Sequence, residues 1–140
     1  MAGSIANPAL HLPFCWRVAF ADTDSGGVVY HSRYLEWAER ARSSWLHQAD
    51  CSNTRLLAEG IVFAVRECHV FFAHPARLDD ELVIKTMMQG WRGARLHLLQ
   101  HILLNGRECV RIDITLACLN RAGRPARIPR TLQEKLSGWA

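Results

Sequence analysis

A chain of 140 residues suits one domain with a core of moderate size. Its hydrophobic share of 49% and charged share of 21% are ordinary for a globular protein, and no apolar run approaches the roughly 20 residues needed to span a bilayer. The formal net charge of +4 is a mild excess. Neither an aromatic-plus-basic RNA signature nor a recognition-helix motif accompanies it, so nucleic acid is not an expected partner.

Residues 1–13 carry no basic residue ahead of an apolar core. They are expected to be a flexible lead-in rather than a secretory signal, which makes the protein cytoplasmic. Phe14 to Ala21, "FCWRVAFA", is apolar and aromatic-rich and predicts a strand. The turn "DTDSGG" follows, and from about Ser32 the period changes. Tyr34, Ala38, Ala41 and Trp45 form one apolar stripe at helical spacing, which Leu35 and Leu46 widen. Glu36 and Arg40, four apart, are expected to pair on another face. This amphipathic helix should run to about His47. A polar connection comes next, with a short helix expected at Thr54 to Glu59, stopped by Gly60.

Four strand patterns succeed one another. Ile61 to Phe72 is closed by "HP" and an acidic turn. Glu81 to Gln89 places Leu82, Ile84, Thr86 and Met88 on one face. Ala94 to Leu104 does the same with Leu96, Leu98, Ile102 and Leu104, interrupted by Gln100. Asn105–Gly106 is a strong hairpin signal. Arg107 to Leu119 alternates cleanly, with Val110, Ile112, Ile114, Leu116 and Cys118 on one side. "NRAGRPARIP" is a turn-rich exit, and Thr131 to Leu136 predicts a closing helix. No repeat or domain linker appears. The order of strand, long helix and four strands predicts an α+β domain, an antiparallel sheet curled around a central helix.

Five cysteines, an odd count with no CxxC spacing, argue against a disulfide framework and against a zinc ribbon. Cys68, Cys109 and Cys118 fall in apolar strand patterns and are expected to be buried thiols. His97 and His101 have a spacing that would suit a metal on a helix, but their segment alternates like a strand, and no metal site is expected.

The chemistry concentrates in "ADTDSGGVVYHSRYLEWAERAR", Ala21 to Arg42. Gly26 and Gly27 permit a sharp turn and close approach by a ligand. The first amides of the following helix lack internal acceptors, and with the helix dipole they favour negative charge. A carbonyl that gains charge in a transition state would be stabilised there. Asp24 lies on the same turn, where a carboxylate can attack the carbonyl or activate water. Asp22 has the place of a cap or Asx-turn. Helix-terminal amides beside a carboxylate are the arrangement of an acyl-transfer hydrolase.

Arg17 to Arg42 also resembles the active-site signature of the 4-hydroxybenzoyl-CoA thioesterase family of hotdog-fold proteins. The matching elements are Arg17–Val18, Thr23–Asp24, Gly27–Val28–Val29, His31 and Tyr34, with weaker similarity through "VRECHVFFAHPARLDDELVIKT" and "RIDITLACLNRAGRPARIP". The core "TDSGGVVYHSRY" is similar to that of the bacterial acyl-CoA thioesterases encoded with the Tol–Pal envelope system. The resemblance implies one hotdog thioesterase domain over residues 14–140 that hydrolyses an acyl-CoA or acyl-carrier-protein thioester without cofactor or metal. It implies Asp24 as nucleophile or general base, and His31 as catalytic chiefly through its backbone amide. Gly27, Val28, Tyr30 and Tyr34 would line the substrate site. Arg92, Arg124 and Arg127 are candidates for coenzyme A phosphates, with a solvated basic face as the alternative. A homo-oligomer is implied, two sheets joining edge to edge with shared sites and two dimers forming a tetramer, as is peripheral association with cell-envelope proteins. Phe20 departs from the subgroup, which often has tyrosine there, so no role passes to a hydroxyl. The histidine of "GVVYH" differs from the benzoyl-specific enzymes, which weighs against an aromatic substrate. Glu36 and Glu39 are rivals to Asp24, because a second class of hotdog thioesterases uses a helix glutamate; pairing with Arg40 and near Arg42 is the plainer reading of them. A hotdog dehydratase and a non-catalytic acyl-thioester binder are the competing functions.

Overall fold

The computed structural model describes residues 12–137. Most of the expected lead-in therefore lies outside the described residues. Its last two residues are described, and Leu12 is tied to the helix by reciprocal bonds: its amide donates to Gln48 Oε1 at 2.8 Å and its carbonyl accepts from Gln48 Nε2 at 3.0 Å.

Five strands make one antiparallel sheet: β1 (Phe14–Arg17), β2 (Val62–Phe72), β3 (Glu81–Arg92), β4 (Arg95–Leu104) and β5 (Arg107–Leu119), in the order β1-β3-β4-β5-β2. Three helices complete the fold: α1 (His31–Gln48), α2 (Asn53–Ala58) and α3 (Arg130–Ser137). This is the curled sheet around a central helix that the periodicity predicts. No described helix is long and apolar enough to cross a membrane.

The core follows from two matched periods. Tyr34, Ala38, Ala41, Trp45 and Leu46 of α1 are buried, together with Trp37. Beneath them lie Leu82, Ile84, Thr86 and Met88 of β3, then Leu96, Leu98 and Ile102 of β4, then Val110, Ile112, Ile114, Leu116 and Cys118 of β5. Fully burying each large apolar side chain contributes about 1.5–3 kcal/mol. Leu35 is 41% exposed, so it does not widen the apolar stripe as expected. Of the cysteines, Cys109 and Cys118 are buried, but Cys68 on the edge strand is only half-buried.

The first strand is shorter than its apolar run. It ends at Arg17 instead of Ala21 because Val18 leaves the ladder, its amide donating to the Asp80 carbonyl at 2.9 Å. The chain then winds into a 3-10 turn, Phe20–Asp22. The Asn105–Gly106 hairpin has the expected positive φ at both residues, 51° and 79°.

Gln100 interrupts the apolar face of β4 yet points into the core and is fully buried. Its Nε2 donates to the Ala38 carbonyl at 2.9 Å and to Thr86 Oγ1 at 3.0 Å, and its Oε1 accepts from Arg42 Nη1 at 3.0 Å. One side chain thus ties the middle of α1 to β3 and β4. Gln100→Leu keeps the volume but strands a buried carbonyl and a guanidinium donor. A loss of about 2–3 kcal/mol in chemical denaturation is expected; an unchanged midpoint would show that the network contributes nothing.

Candidate active site

The site begins where β1 stops. Asp22 is buried at 7% exposure. Its Oδ2 accepts from the Ala19 amide at 2.8 Å and from Trp16 Nε1 at 3.1 Å, the capping role expected of it. Its backbone carbonyl accepts from the Tyr30 amide at 2.8 Å. Arg33, in the first turn of α1, reaches back: Nε lies 3.6 Å from Asp22 Oδ1 and Nη2 donates to the Ala21 carbonyl at 3.4 Å. The turn and the helix start are therefore fastened to each other on both sides.

Between them the chain makes a tight loop. Thr23 bridges Val29, the Asp24 amide donates to the Val28 carbonyl at 2.9 Å, and the Gly27 amide donates to the Asp24 carbonyl at 3.0 Å. Gly27 has φ +79°, which a side chain would strain. Asp24 is exposed. Its Oδ1 accepts from the Gly26 amide at 2.8 Å and the Val28 amide at 3.3 Å, leaving Oδ2 without a protein partner among the described residues. Val28 bridges Arg77, and the Val29 amide donates to the Ala76 carbonyl, so the loop also rests on the segment after β2.

Helix α1 starts at His31 with Tyr30 as N-cap and no side-chain cap. Among the described residues the His31 and Ser32 amides have no protein acceptor, while the Arg33 amide donates to the Tyr30 carbonyl. A cavity of about 190 Å³ opens beside this end, lined by Val29, His31, Tyr34, Phe72, Ala73, His74 and Pro75. Larger hollows of about 390 Å³ by Trp16 and Leu82, and of about 380 Å³ by Leu57 and Asn120, adjoin no helix N-terminus. Chemistry, not volume, selects the first.

The structure separates the candidate residues into two groups. Asp24, Gly27, Val28, Tyr30, His31 and Tyr34 share one end of the domain. Tyr30 stacks on His31 with centroids 4.8 Å apart. Tyr34 is buried; its hydroxyl accepts from the Ala76 amide at 3.0 Å, and burial pushes its pKa up. It serves as a neutral wall. Arg92, Arg124 and Arg127 lie at the other end. Arg92 closes β3, whose first residue, Glu81, pairs with Arg17 beside the Asp24 loop. Twelve strand residues separate the two ends, about 36 Å. The Ile128 amide donates to the Gly93 carbonyl, which holds Arg127 near the same hairpin tip. Within one chain these arginines do not reach Asp24.

Two helix pairings are corrected. Glu36 accepts from Arg33 Nη1 at 2.8 Å instead of pairing with Arg40, whose guanidinium stacks over Trp16 at 5.6 Å. Glu39 has no ion-pair partner within 4.0 Å among the described residues, and Arg42 turns inward to Gln100. Phe20, where the subgroup often has tyrosine, is 81% exposed. His97 bonds Thr115 at 2.9 Å on β5, and among the described residues no group of three acidic, histidine or cysteine side chains is placed to hold a metal. Phe72, His74 and Pro75 were not marked as site residues by the sequence. Their signal is the "HP" that ends β2, which the contacts of Tyr34 and Val29 with Ala76 bring to the helix start.

The model of the thioesterase-like superfamily matches residues 18–136. The chain belongs to this superfamily. It is 45% identical over 92 residues to an acyl-CoA thioester hydrolase, YbgC, of Escherichia coli O6:H1, covering 64% of this chain and 69% of that one. It is 32% identical over 119 residues to the acyl-CoA thioesterase YbgC of Haemophilus influenzae, covering 84% and 88%. A crystal structure of a probable thioesterase from Bartonella henselae superposes with a TM-score of 0.79 at 41% identity, covering 84% of this chain and 98% of that one. The fold is thus the hotdog fold, and the protein is a thioester hydrolase.

Proposed function

We propose that this protein hydrolyses acyl-CoA to the free acid and coenzyme A, with Asp24 as the reacting carboxylate. The observation that carries this reading is the pairing of a free Asp24 Oδ2 with unsatisfied amides at His31 and Ser32, across one short loop. The thioester carbonyl would lie against those amides, which stabilise the negative charge that develops on its oxygen. Asp24 either attacks the carbonyl carbon, giving an anhydride that water then cleaves, or takes a proton from water as it attacks. In both routes the carbon–sulfur bond breaks, the thiolate leaves, and water supplies the hydroxyl of the acid. No step requires a metal or cofactor. The names of the relatives in Escherichia coli and Haemophilus influenzae support the substrate class. Five free cysteines, one exposed, suit a reducing compartment and support a cytoplasmic site of action.

The proposal includes a second copy of the chain. Among the described residues the outer edge of β2 is unpaired, and Val62, Val65, Phe71 and Phe72 along it are exposed. An open apolar edge is normally paired or covered. Antiparallel pairing of two β2 strands would set the Val62 end of one against the Phe72 end of the other. Val62 lies opposite Leu119, so the exit loop with Arg124 and Arg127 of the second copy would approach the cavity beside His31. That is a route by which these arginines, remote within one chain, could meet coenzyme A phosphates.

Asp24→Asn keeps size and loop hydrogen bonding but removes the carboxylate. Turnover of acyl-CoA, followed by thiol release, should fall about a hundredfold or more with KM little changed. Near-normal turnover would shift the role to Glu36 or Glu39. His31→Ala retains the backbone amide, and an intermediate loss is expected, smaller than that of Asp24→Asn. A loss as large as for Asp24→Asn would instead assign the ring an essential part. Dilution tests the shared site: specific activity should fall as light-scattering mass drops to that of one chain. A fully active monomer would overturn the shared arrangement.

A further inference from the structure

Among the described residues, one cationic side chain on the inner side of the molecule has no carboxylate in contact, and Glu39 acts on it only at longer range. Arg42 is half-buried on α1, and only Nη1 is bonded, to Gln100 Oε1 at 3.0 Å. Among the described residues no carboxylate lies within 4.0 Å of it. Burial lowers its pKa, the mark of a guanidinium poorly compensated by its surroundings. A guanidinium presents five donors in a planar fork that suits a carboxylate. Four of these are unused here.

Arg42 lines a second cavity, also about 190 Å³, together with Glu39, Ser43, Leu46, Phe63 and Val65. The surroundings are mixed: the walls from Leu46, Phe63 and Val65 are apolar, and Asn53 Nδ2 bonds Ser43 Oγ at 3.1 Å. Glu39 is the acidic group nearest on the same helix and is exposed. Cys68 faces Arg42 from β2, its thiol pushed up by burial.

This cavity and the one at the start of α1 lie along one helix row. His31, Leu35, Glu39, Arg42 and Leu46 follow one another at steps of three or four residues and so share a face of α1. Strand β2 runs antiparallel to this row: Phe72 lines the cavity at His31, and Val65 and Phe63 line the one at Arg42. Between the two ends, Leu35 gives the row exposed apolar surface. From His31 to Arg42 the helix rises about 16 Å. An extended zigzag chain advances about 1.3 Å per carbon–carbon bond; allowing about 3 Å of the span for a hydrogen bond from the guanidinium to the terminal carboxylate leaves about 13 Å, or roughly ten to twelve carbons.

We infer that the acyl chain of the substrate lies along this row and that Arg42 receives a carboxylate at its far end. The substrate class is then a medium-chain acyl thioester with a terminal carboxyl group. The inference rests on the proposed thioester hydrolysis at Asp24 and adds the identity of the acyl group. Leu35, Phe72 and Val65 supply the apolar track, and Arg42 terminates it with a charge-assisted bond.

The test compares plain and ω-carboxylated acyl-CoA of equal length, from about five to sixteen carbons, by thiol release. Wild type should favour the ω-carboxylated substrate by about tenfold in kcat/KM near ten to twelve carbons. A five-carbon diacid, too short to reach, should show no such preference. In Arg42→Gln the ratio at ten carbons should collapse to about one, and Arg42→Lys should restore part of it. A ratio of one or below at every length in wild type, or a preference that survives in Arg42→Gln, overturns the inference. The wild-type length series decides the matter even where the variants do not fold, because it needs no substitution. Hydrolysis of both substrate types without preference removes this inference alone; hydrolysis of neither removes the thioesterase reading beneath it.

Discussion

The geometry of the candidate site depends on a buried carboxylate that does no chemistry of its own. Asp22 collects the indole of Trp16, the amide of Ala19 and the guanidinium of Arg33, while its carbonyl takes the amide of Tyr30. A charge with so little contact with water costs free energy unless it is well bonded, and here the bonds come from β1, from the turn and from the helix. Satisfying Asp22 therefore forces those three pieces together. The loop carrying Asp24 is only the stretch between two of its attachments. Trp16, held by this carboxylate, in turn stacks on Trp37 of α1 and under Arg40, so the same centre is keyed into the core.

The second constraint is the unpaired rim of the sheet. Among the described residues, β1 covers β3 only from Glu81 to Ile84, and no strand pairs with the outer edge of β2. The helix row beside β2 is open toward its N-terminal end, where Leu35 is in contact with water, as are Phe71 and Phe72 at the end of β2. Such surface is expensive to leave exposed. It is also the surface an acyl chain or a second copy would use. One chain supplies the proposed reacting loop and the helix-terminal amides but an unfinished wall, and this is a physical reason for the proposed sharing of sites.

Much of this was legible in the sequence because two periods dominate it. The alternation in β3, β4 and β5 and the stripe of α1 each assign a buried face without ambiguity, and Asn105–Gly106 fixes the register of the last hairpin. The errors arise where tertiary contacts outbid local rules. Phe14 to Ala21 is apolar except at Arg17, yet Val18 bonds to Asp80, 62 positions on, and the strand stops. Glu36 and Arg40 have ideal helical spacing, but Trp16 offers Arg40 an aromatic face and Arg33 takes the carboxylate. Gln100 looked like a break in a pattern; only the opposing Ala38 carbonyl and Thr86 explain an amide at full burial.

The site itself divides in the same way. Asp24, the glycines and the helix start lie within eight residues, so their geometry is local and the motif carries it. The cavity wall at Phe72 to Pro75 reaches the helix start through long-range contacts: the Ala76 amide bonds the Tyr34 hydroxyl across 42 positions, the Ala76 carbonyl takes the Val29 amide, and Tyr34 packs on Phe72. No local pattern encodes that contact, because it exists only once the sheet has curled and brought the end of β2 over the helix N-terminus. Reactive groups can thus stay fixed in a short motif while walls contributed by distant strands vary. The proposed hydrolysis draws on the former, and the proposed choice of acyl group on the latter. On these proposals, the chemistry is written in one stretch of about twenty residues, and specificity would rest on side chains such as Arg42, Phe63 and Val65, which only the three-dimensional fold brings together around one cavity.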